Sequence, residues 1–248
     1  MVDVKTVSDI INKIAPYELA QEWDNCGIAL DLENLTDKIL FALDVSPDTI
    51  AEAERLGCGI LVTHHPAMRA PQNKFCIDDN VIIAATKGVS LIAAHTCFDS
   101  ADKGVTDHLC DMLGLAGVEK LDDIARGGTL EPMACSDFIR YVKRRLDCES
   151  VIATSSQREI KKVAVAGGSA GETVEVAAGL GYDAVVTGEA KHHDALKAKA
   201  HGICLVCAGH FVTENPAVKV LLDAVSAGLG DRVQCILSEC GSDPFVYC

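Results

Sequence analysis

Two adjacent histidines, His64 and His65, follow an apolar run that ends in Val-Thr, and Pro66 comes directly after them. Imidazole is a common ligand of transition metals. Neighbouring side chains on an ideal strand point to opposite faces, so both rings can face one pocket only if the strand ends before them. Pro66 favours a turn at this point. The pair therefore predicts metal ligands at a strand end, with hydrogen-bonded or solvent-facing histidines as the plain alternative.

The segment that leads into this pair occurs twice in the chain. Residues 39–63 align without a gap on residues 163–187, and both segments show the order strand, turn, helix, glycine, strand. Both copies end in Val-Thr, but Gly188-Glu189 stands in the second copy where the histidine pair stands in the first. The repeat indicates a duplicated scaffold.

Each copy also carries a His-x-x-x-carboxylate just beyond a later strand, His95–Asp99 in the first and His210–Glu214 in the second. Polar residues at matching strand ends predict one site built jointly by both halves. Histidine and carboxylate groups suit borderline divalent ions such as Zn²⁺, Fe²⁺, Mn²⁺, Co²⁺ and Ni²⁺. The candidate metal ligands are His64, His65, Asp99, His210 and Glu214, with His95 as a further ligand or as the partner of one.

Apolar strands alternate with helical segments along most of the chain, which predicts an α/β fold with mostly parallel sheets. Because the strands are continuously apolar, helices should cover both faces of each sheet. We expect two similar, intertwined three-layer α/β/α halves, residues 1–125 and 126–248, with the metal site between them. Ligands of such sheets lie beyond the carboxyl ends of strands, where the candidate ligands fall. Residues 117–135 resemble a crossover loop.

The 248-residue chain carries a formal net charge of −14, which argues against nucleic acid or an anionic membrane as its partner. A small phosphorylated substrate remains compatible, since a bound metal supplies local positive charge. No run approaches the roughly 20 apolar residues that span a bilayer. The N-terminal segment lacks an apolar signal core, so we expect a cytoplasmic protein whose twelve cysteines are reduced thiols.

Seven stretches resemble, in order, the motifs of the Nif-three-like family, whose members are known as dinuclear metal centre hexameric proteins or GTP cyclohydrolase I type 2 homologues. The resemblance covers about residues 5–235. The stretches are WDNCG at 23–27, ALDVSP at 42–47, THHP at 63–66, AHTCFD at 94–99, GGSAG at 167–171, TGEAKHHDA at 187–195 and GHFVTE at 209–214.

The resemblance implies a pair of divalent ions between two similar α/β domains, and a ring-shaped homo-hexamer whose sites face the central cavity. By motif position it implies the ligand set given above, with Glu214 as the bridge and His95 beside the metal pair. The chain departs from the family where Gly188-Glu189 replaces a common Gly-Asp and His192 replaces a common Tyr. These departures spare the ligands and leave the substrate contacts open.

The leading functional hypothesis is a metal-dependent hydrolase. The family names suggest hydrolytic opening of the GTP purine ring. A phosphoesterase would need the same metal ions and proton-transfer groups. His95 or His193 would shuttle protons in either reaction. The competing hypothesis is a non-enzymatic protein that stores, delivers or senses divalent metal. A protein-interaction adaptor is a third class, with no positive feature in the sequence.

The remaining motifs have both functional and structural interpretations. Trp23, Asp24 and Asn25 are substrate-binding candidates, with a capped turn around a buried indole as the alternative. Asp194, which follows His193, is also a substrate-binding candidate, with a helix N-terminus as the alternative, where a carboxylate favours the helix dipole. The glycine-rich stretch at 167–171 is either a phosphate cradle or a tight turn that permits close packing.

Overall fold

A computed structural model describes residues 1–70 and 72–246, and Pro71, Tyr247 and Cys248 lie outside the described residues. The helices are α1 (Val4–Ile14), α2 (Pro47–Leu56), α3 (Asn80–Thr86), α4 (Thr96–Ser100), α5 (Val105–Leu113), α6 (Cys135–Arg145), α7 (Thr173–Gly179), α8 (His192–His201) and α9 (His210–Leu229). The strands are β1 (Gly27–Leu30), β2 (Lys38–Ala42), β3 (Ile60–Thr63), β4 (Ser90–Ala93), β5 (Ala116–Lys120), β6 (Arg126–Ala134), β7 (Ile152–Ala153), β8 (Glu159–Val165), β9 (Ala184–Thr187), β10 (Cys204–Cys207) and β11 (Gln234–Leu237).

Helix α2 shows how the sequence sets the boundaries of an element. The Ser46 hydroxyl accepts the backbone N–H of Thr49, and the Thr49 hydroxyl accepts the N–H of Ser46, so the two residues form a reciprocal cap. Pro47 occupies the first helical position, where its missing N–H costs nothing. Gly57 ends the helix in the left-handed region, at φ +73°. All three signals are legible in the sequence.

Residues 1–70, 72–104 and 215–242 form one compact unit. Its sheet has the strand order β1-β4-β3-β2-β11. Strand β3 pairs in parallel with β2 and β4, and β2 pairs in parallel with β11, while β1 joins the edge of the sheet antiparallel to β4. Side chains of α2 and α3 pack on one face through residues such as Ile50 and Val81. The carboxyl ends of four parallel strands, β4, β3, β2 and β11, therefore meet at one edge of this sheet.

Residues 105–214 and 243–246 form the second unit. Its sheet has the order β5-β6-β8-β9-β10-β7, with β8, β9 and β10 parallel and the other pairings antiparallel. Leu109 of α5 and Phe138 of α6 pack on one face of the sheet. Val174 of α7 and Ala198 of α8 pack on the other. This unit is a three-layer α/β/α arrangement, as the continuously apolar strands predict.

The stretch expected to be a crossover loop instead contains the antiparallel strands β5 and β6, so that expectation is wrong. Glycines concealed the strand in the sequence, because Gly127 and Gly128 are uncommon inside strands. Both are required by packing: a Cβ would lie 2.1 Å from the Tyr182 hydroxyl oxygen at Gly127 and 2.9 Å from the Leu115 Cβ at Gly128. Arg126 precedes them fully buried, and its Nε donates to Asp107 at 2.7 Å.

The predicted fold class is confirmed: the chain is α/β, with two mixed sheets and the same strand–helix–strand order in β2-α2-β3 and β8-α7-β9. Neither compact unit is a single continuous stretch of the chain. Residues 105–125 belong to the second unit, and residues 215–242 return to the first. No helix within residues 1–70 or 72–246 is long and apolar enough to cross a membrane.

Candidate metal centre

In the first unit, the strand that leads to the histidine pair ends where the sequence predicts. Strand β3 stops at Thr63, and the N–H groups of His64 and His65 donate to the carbonyls of Ala42 and Leu43 at 3.2 and 2.9 Å. The Thr63 hydroxyl donates to the carbonyl of His65 at 2.7 Å and fixes the turn. The two imidazole centroids are therefore only 5.1 Å apart, instead of lying on opposite faces of the sheet.

His95 completes a cluster of three imidazoles. It lies just beyond β4 and immediately before α4, and its ring centroid is 5.1 Å from that of His64 and 5.5 Å from that of His65. One ring nitrogen from each histidine lies within 4.8 Å of the others. His64 and His95 are buried, and His65 is half-buried. This spacing allows the three rings to offer nitrogen donors to a shared metal site.

Each of the three rings is held through its Nδ1 atom by an oxygen acceptor. The acceptors are the carbonyl of Ala94 for His64 at 2.9 Å, Asp44 Oδ1 for His65 at 2.7 Å and Asp24 Oδ1 for His95 at 2.8 Å. Because a carbonyl or carboxylate cannot donate, the proton of the neutral ring must sit on Nδ1. The Nε2 atom of each neutral ring then carries a lone pair, and metal-binding histidines commonly show this arrangement.

A carboxylate adjoins this cluster. Asp99 lies in α4, four residues after His95, and its side chain is buried. Its Oδ1 atom is 3.6 Å from Nε2 of His64. The first unit therefore collects three imidazoles and one carboxylate at the carboxyl edge of its parallel strands, and this donor set suits a divalent transition metal.

Asp24 connects the turn that carries Trp23 to His95. Its carboxylate accepts the Nδ1–H of His95, the N–H and hydroxyl of Thr96 and the N–H of Asn25. Burial alone would raise the pKa of Asp24, but these hydrogen bonds outweigh burial and hold the pKa well below its usual range. An ionised Asp24 therefore fixes the orientation of the His95 ring.

The second unit contains a smaller donor set at its own strand ends. His210 and Glu214 lie one turn apart at the start of α9, and His210 Nε2 is 3.0 Å from Glu214 Oε2. Glu214 is buried, while His210 is about a quarter exposed. On the other side of the ring, Nδ1 of His210 is 3.5 Å from Oε1 of Glu189. Glu189 occupies the position in the repeat that His65 occupies in the first copy.

The glycine turns of the second unit pack directly against this donor pair. Gly168 has φ +60°, and a Cβ there would lie 2.1 Å from Oε1 of Glu214. Its N–H donates to the hydroxyl of Thr213 at 3.1 Å. A Cβ at Gly188 would lie 2.9 Å from Cα of His210. The structure therefore supports the close-packing interpretation of the glycine-rich stretch over the phosphate cradle.

The family model of Duf34/NIF3 (NGG1p interacting factor 3) matches residues 2–244. The chain belongs to the Duf34/NIF3 family. A Clostridium perfringens protein named GTP cyclohydrolase 1 type 2 homolog is 28% identical over 97% of this chain and 98% of its own length. A Clostridium acetobutylicum protein of the same name is 27% identical over 98% of each chain. The resemblance that the seven motifs indicate is confirmed.

A solved structure from the same family shows the same fold. The crystal structure of a Bacillus cereus protein related to NIF3 superposes with a TM-score of 0.90 at 21% identity, and the match covers 100% of this chain and 99% of that one. At this identity the likeness establishes the shared fold of the Duf34/NIF3 chains, and the chemistry of the site depends on the residues themselves.

The turn at residues 23–25 differs from its structural interpretation in one respect. The Trp23 indole is 60% exposed, so the expectation of a buried indole is wrong. The ring meets the edge of His95 with centroids 5.9 Å apart. The Asn25 side-chain amide donates to the carbonyl of Met68 at 2.8 Å, which gives it a structural contact. An exposed indole beside a candidate metal ligand keeps Trp23 as a substrate-contact hypothesis.

The His193-Asp194 pair lies on the first turn of α8. Asp194 is buried, and its Oδ2 accepts the N–H of Lys191 at 2.9 Å, which caps the helix. His193 is 63% exposed and its Nε2 is 3.3 Å from Asp194 Oδ1. The carboxylate therefore has the capping function that the structural alternative describes. The substrate and proton-transfer roles of the two residues stay predictions.

Two carboxylates that contact candidate ligand rings are absent from the site predicted from sequence. Asp44, which holds His65, lies two residues beyond the end of strand β2. Glu189, which faces His210, follows the second Val-Thr of the repeat. Both positions are marked in the sequence, since each places a charge at a strand end next to a candidate ligand. Their partners become visible only when neighbouring strands are brought together.

Replacing Asp44 with asparagine is expected to weaken divalent-metal binding about tenfold. Asparagine keeps the size of the aspartate side chain but lacks the negative charge that orients His65. A zinc titration against a chromophoric chelator measures the change. Asp48, exposed on the first turn of α2, supplies the matched control Asp48→Asn, which should bind zinc like the unaltered protein. Equal affinities for all three proteins would show that His65 needs no carboxylate partner.

Proposed function

We propose that this chain binds two divalent metal ions through His64, His65, Asp99, His210 and Glu214 and uses them in a hydrolytic reaction. The observation that carries the proposal is the histidine cluster of the first unit: the candidate ligands His64 and His65 are each held at Nδ1 by an oxygen acceptor, and the His95 ring lies beside them. Metal-binding histidines commonly donate their other ring N–H to such an acceptor, and this supports a metal site here.

The donor chemistry fits borderline divalent ions. The donors of both units are imidazole nitrogens and carboxylate oxygens, which suit zinc, iron, manganese, cobalt and nickel. Ions bound there would lower the pKa of coordinated water towards neutrality and polarise a carbonyl, imine or phosphoryl group. In this proposal Glu214 is the bridging carboxylate that the family resemblance implies.

Proton transfer in this proposal belongs to His95. Its Nδ1 donates to ionised Asp24, which orients Nε2 as the ring atom that would accept and return a proton. Asp24 is in turn held by Thr96, which keeps the ring orientation constant. His193, exposed on α8, is the second candidate for the same task.

The substrate we propose is a nucleotide, with GTP as the first to test. The name GTP cyclohydrolase 1 type 2 homolog, carried by relatives aligned over nearly the whole chain, supports this choice. One water added at C8 of guanine opens the five-membered ring to a formamide, and a second water hydrolyses the formamide and releases formate. A phosphoester is the second substrate class, because its hydrolysis uses the same activated water. We also propose that six copies of the chain assemble as a ring-shaped hexamer.

One sample tests these statements together. Protein purified without added metal or chelator is expected to carry two ions per chain by plasma mass spectrometry, and to form a hexamer of the 26.3-kDa chain by light scattering. Formate release from GTP, or phosphate release from a phosphoester panel, should stop when the metal is stripped and return when it is restored. Bound metal that passes to an apo-acceptor without any turnover would favour storage or delivery. Protein without metal would refute the proposal.

A further inference from the structure

The second unit contains a cavity of about 370 Å³ beside His210. It lies at the carboxyl ends of β9 and β10 and extends to the edge strand β7 and to Phe245 and Val246. Its volume is in the range of small-molecule sites, which measure roughly 300–1,000 Å³. Because the cavity includes a proposed metal ligand in its wall, a molecule bound there would adjoin the metal site.

The charge of the lining excludes some ligands. Among the described residues that line the cavity, no lysine or arginine occurs, and Glu189 supplies a negative charge. Burial raises the pKa of the Cys207 thiol to about 11, so that side chain stays neutral. The described lining side chains offer a phosphate or carboxylate no counter-charge, so positive charge for such a group would have to come from a bound metal, whereas a neutral group with N–H donors would meet an acceptor in Glu189.

The remaining walls are apolar and partly exposed. Val151 and Ile152 line one part of the cavity, and Phe245 and Val246 of the C-terminal segment line another. Ile152 is 80% exposed and Phe245 is 67% exposed, so both present apolar surface at the cavity that a bound molecule could cover. A flat ring would remove both from water, and aromatic side chains stack readily on planar bases.

We infer that this cavity binds an uncharged heteroaromatic ring bearing N–H donors, which point at Glu189, while any phosphate groups of the same molecule stay outside. Guanine fits this description, because its ring N–H and exocyclic amino group lie side by side and can pair with both oxygens of one carboxylate. The inference deepens the proposed function and rests on it, since it names the part of the substrate that the second unit recognises.

Guanosine, which has the base without phosphate, is the probe. Isothermal titration of the protein as purified should show guanosine binding. Inosine, which lacks the exocyclic amino group, should bind about tenfold more weakly, in line with the loss of one hydrogen bond to a charged acceptor. Phe245→Ala should weaken guanosine binding about tenfold through lost stacking. Leu180→Ala removes a half-exposed apolar side chain of the same unit outside the cavity lining and is the matched control.

Metal content measured on the same samples separates the two proposals. Phe245→Ala with weaker guanosine binding and unchanged metal content supports the assignment of the cavity. Guanosine binding by protein that holds no metal would refute the hydrolase and leave the cavity assignment standing. Metal-loaded protein that binds guanosine no better than inosine, or whose affinity for guanosine is equal in Phe245→Ala and Leu180→Ala, would overturn the assignment.

Discussion

Replacing His64 with alanine is expected to reduce the affinity for divalent metal by roughly 100-fold or more and to abolish hydrolysis. Loss of a residue that merely orients a ligand costs 10–100-fold in metal affinity, so loss of a ligand should cost at least as much. His64 is buried, its Nδ1 is committed to the carbonyl of Ala94, and its Nε2 lies 3.6 Å from Asp99. Metal content after dialysis and turnover on the best substrate are the measurements.

A second histidine provides the control. His201 lies on α8 and is about half exposed, with Nε2 3.8 Å from Glu175, so His201→Ala removes an imidazole without touching the candidate centre. It should retain full metal content and activity. Thermal unfolding of the metal-free proteins shows whether His64→Ala has simply failed to fold. If folded His64→Ala keeps both metal and activity, the ligand assignment in the first unit is wrong.

Much of the fold and of the first donor set follows from local sequence signals. The repeat and the continuously apolar strands predict two α/β layers, and Pro66 after the histidine pair predicts the turn that brings the two rings together. The His-x-x-x-carboxylate spacing places His210 and Glu214 one helical turn apart. These features depend on residues close in the chain, where spacing translates directly into geometry.

The remainder depends on contacts between residues far apart in the chain. Asp24 holds His95, and Asp44 holds His65, across gaps that no periodic pattern spans. The strands β5 and β6 escape local prediction for a related reason. Their glycines make room for Tyr182 and Leu115. A glycine that a distant neighbour requires looks like a loop residue in the sequence. Long-range packing, which local sequence patterns do not reveal, determines both the carboxylate partners of the histidines and the strands β5 and β6.

The two copies of the repeat kept their geometry while their chemistry diverged. Val-Thr ends a central parallel strand in each unit, but it is followed by His64-His65 in the first and Gly188-Glu189 in the second. In the second copy Gly188 has no side chain, which leaves room for the start of α9. Glu189 faces His210 there instead of providing an imidazole. A duplicated strand end thus gives one unit rich in nitrogen donors and another rich in carboxylates.

The glycine turn of the second unit leads to the other prediction with a large effect. Gly168→Ala is expected to remove about one metal ion per chain, because the new Cβ would lie 2.1 Å from Oε1 of Glu214 and displace the buried carboxylate. The left-handed backbone, at φ +60°, adds a strain of about 1–2 kcal/mol for alanine. Metal counting and thermal unfolding measure the two effects separately.

Gly181→Ala separates backbone strain from displacement of the ligand. Gly181 belongs to the same unit and has φ +72°, but a Cβ there would meet nothing within 4 Å. Both variants should therefore lose about 1–2 kcal/mol of unfolding free energy, while only Gly168→Ala should lose metal. Equal metal content in the two variants would mean that Glu214 holds no ion. The glycine would then serve packing alone, and the second unit would contribute no carboxylate ligand from this helix.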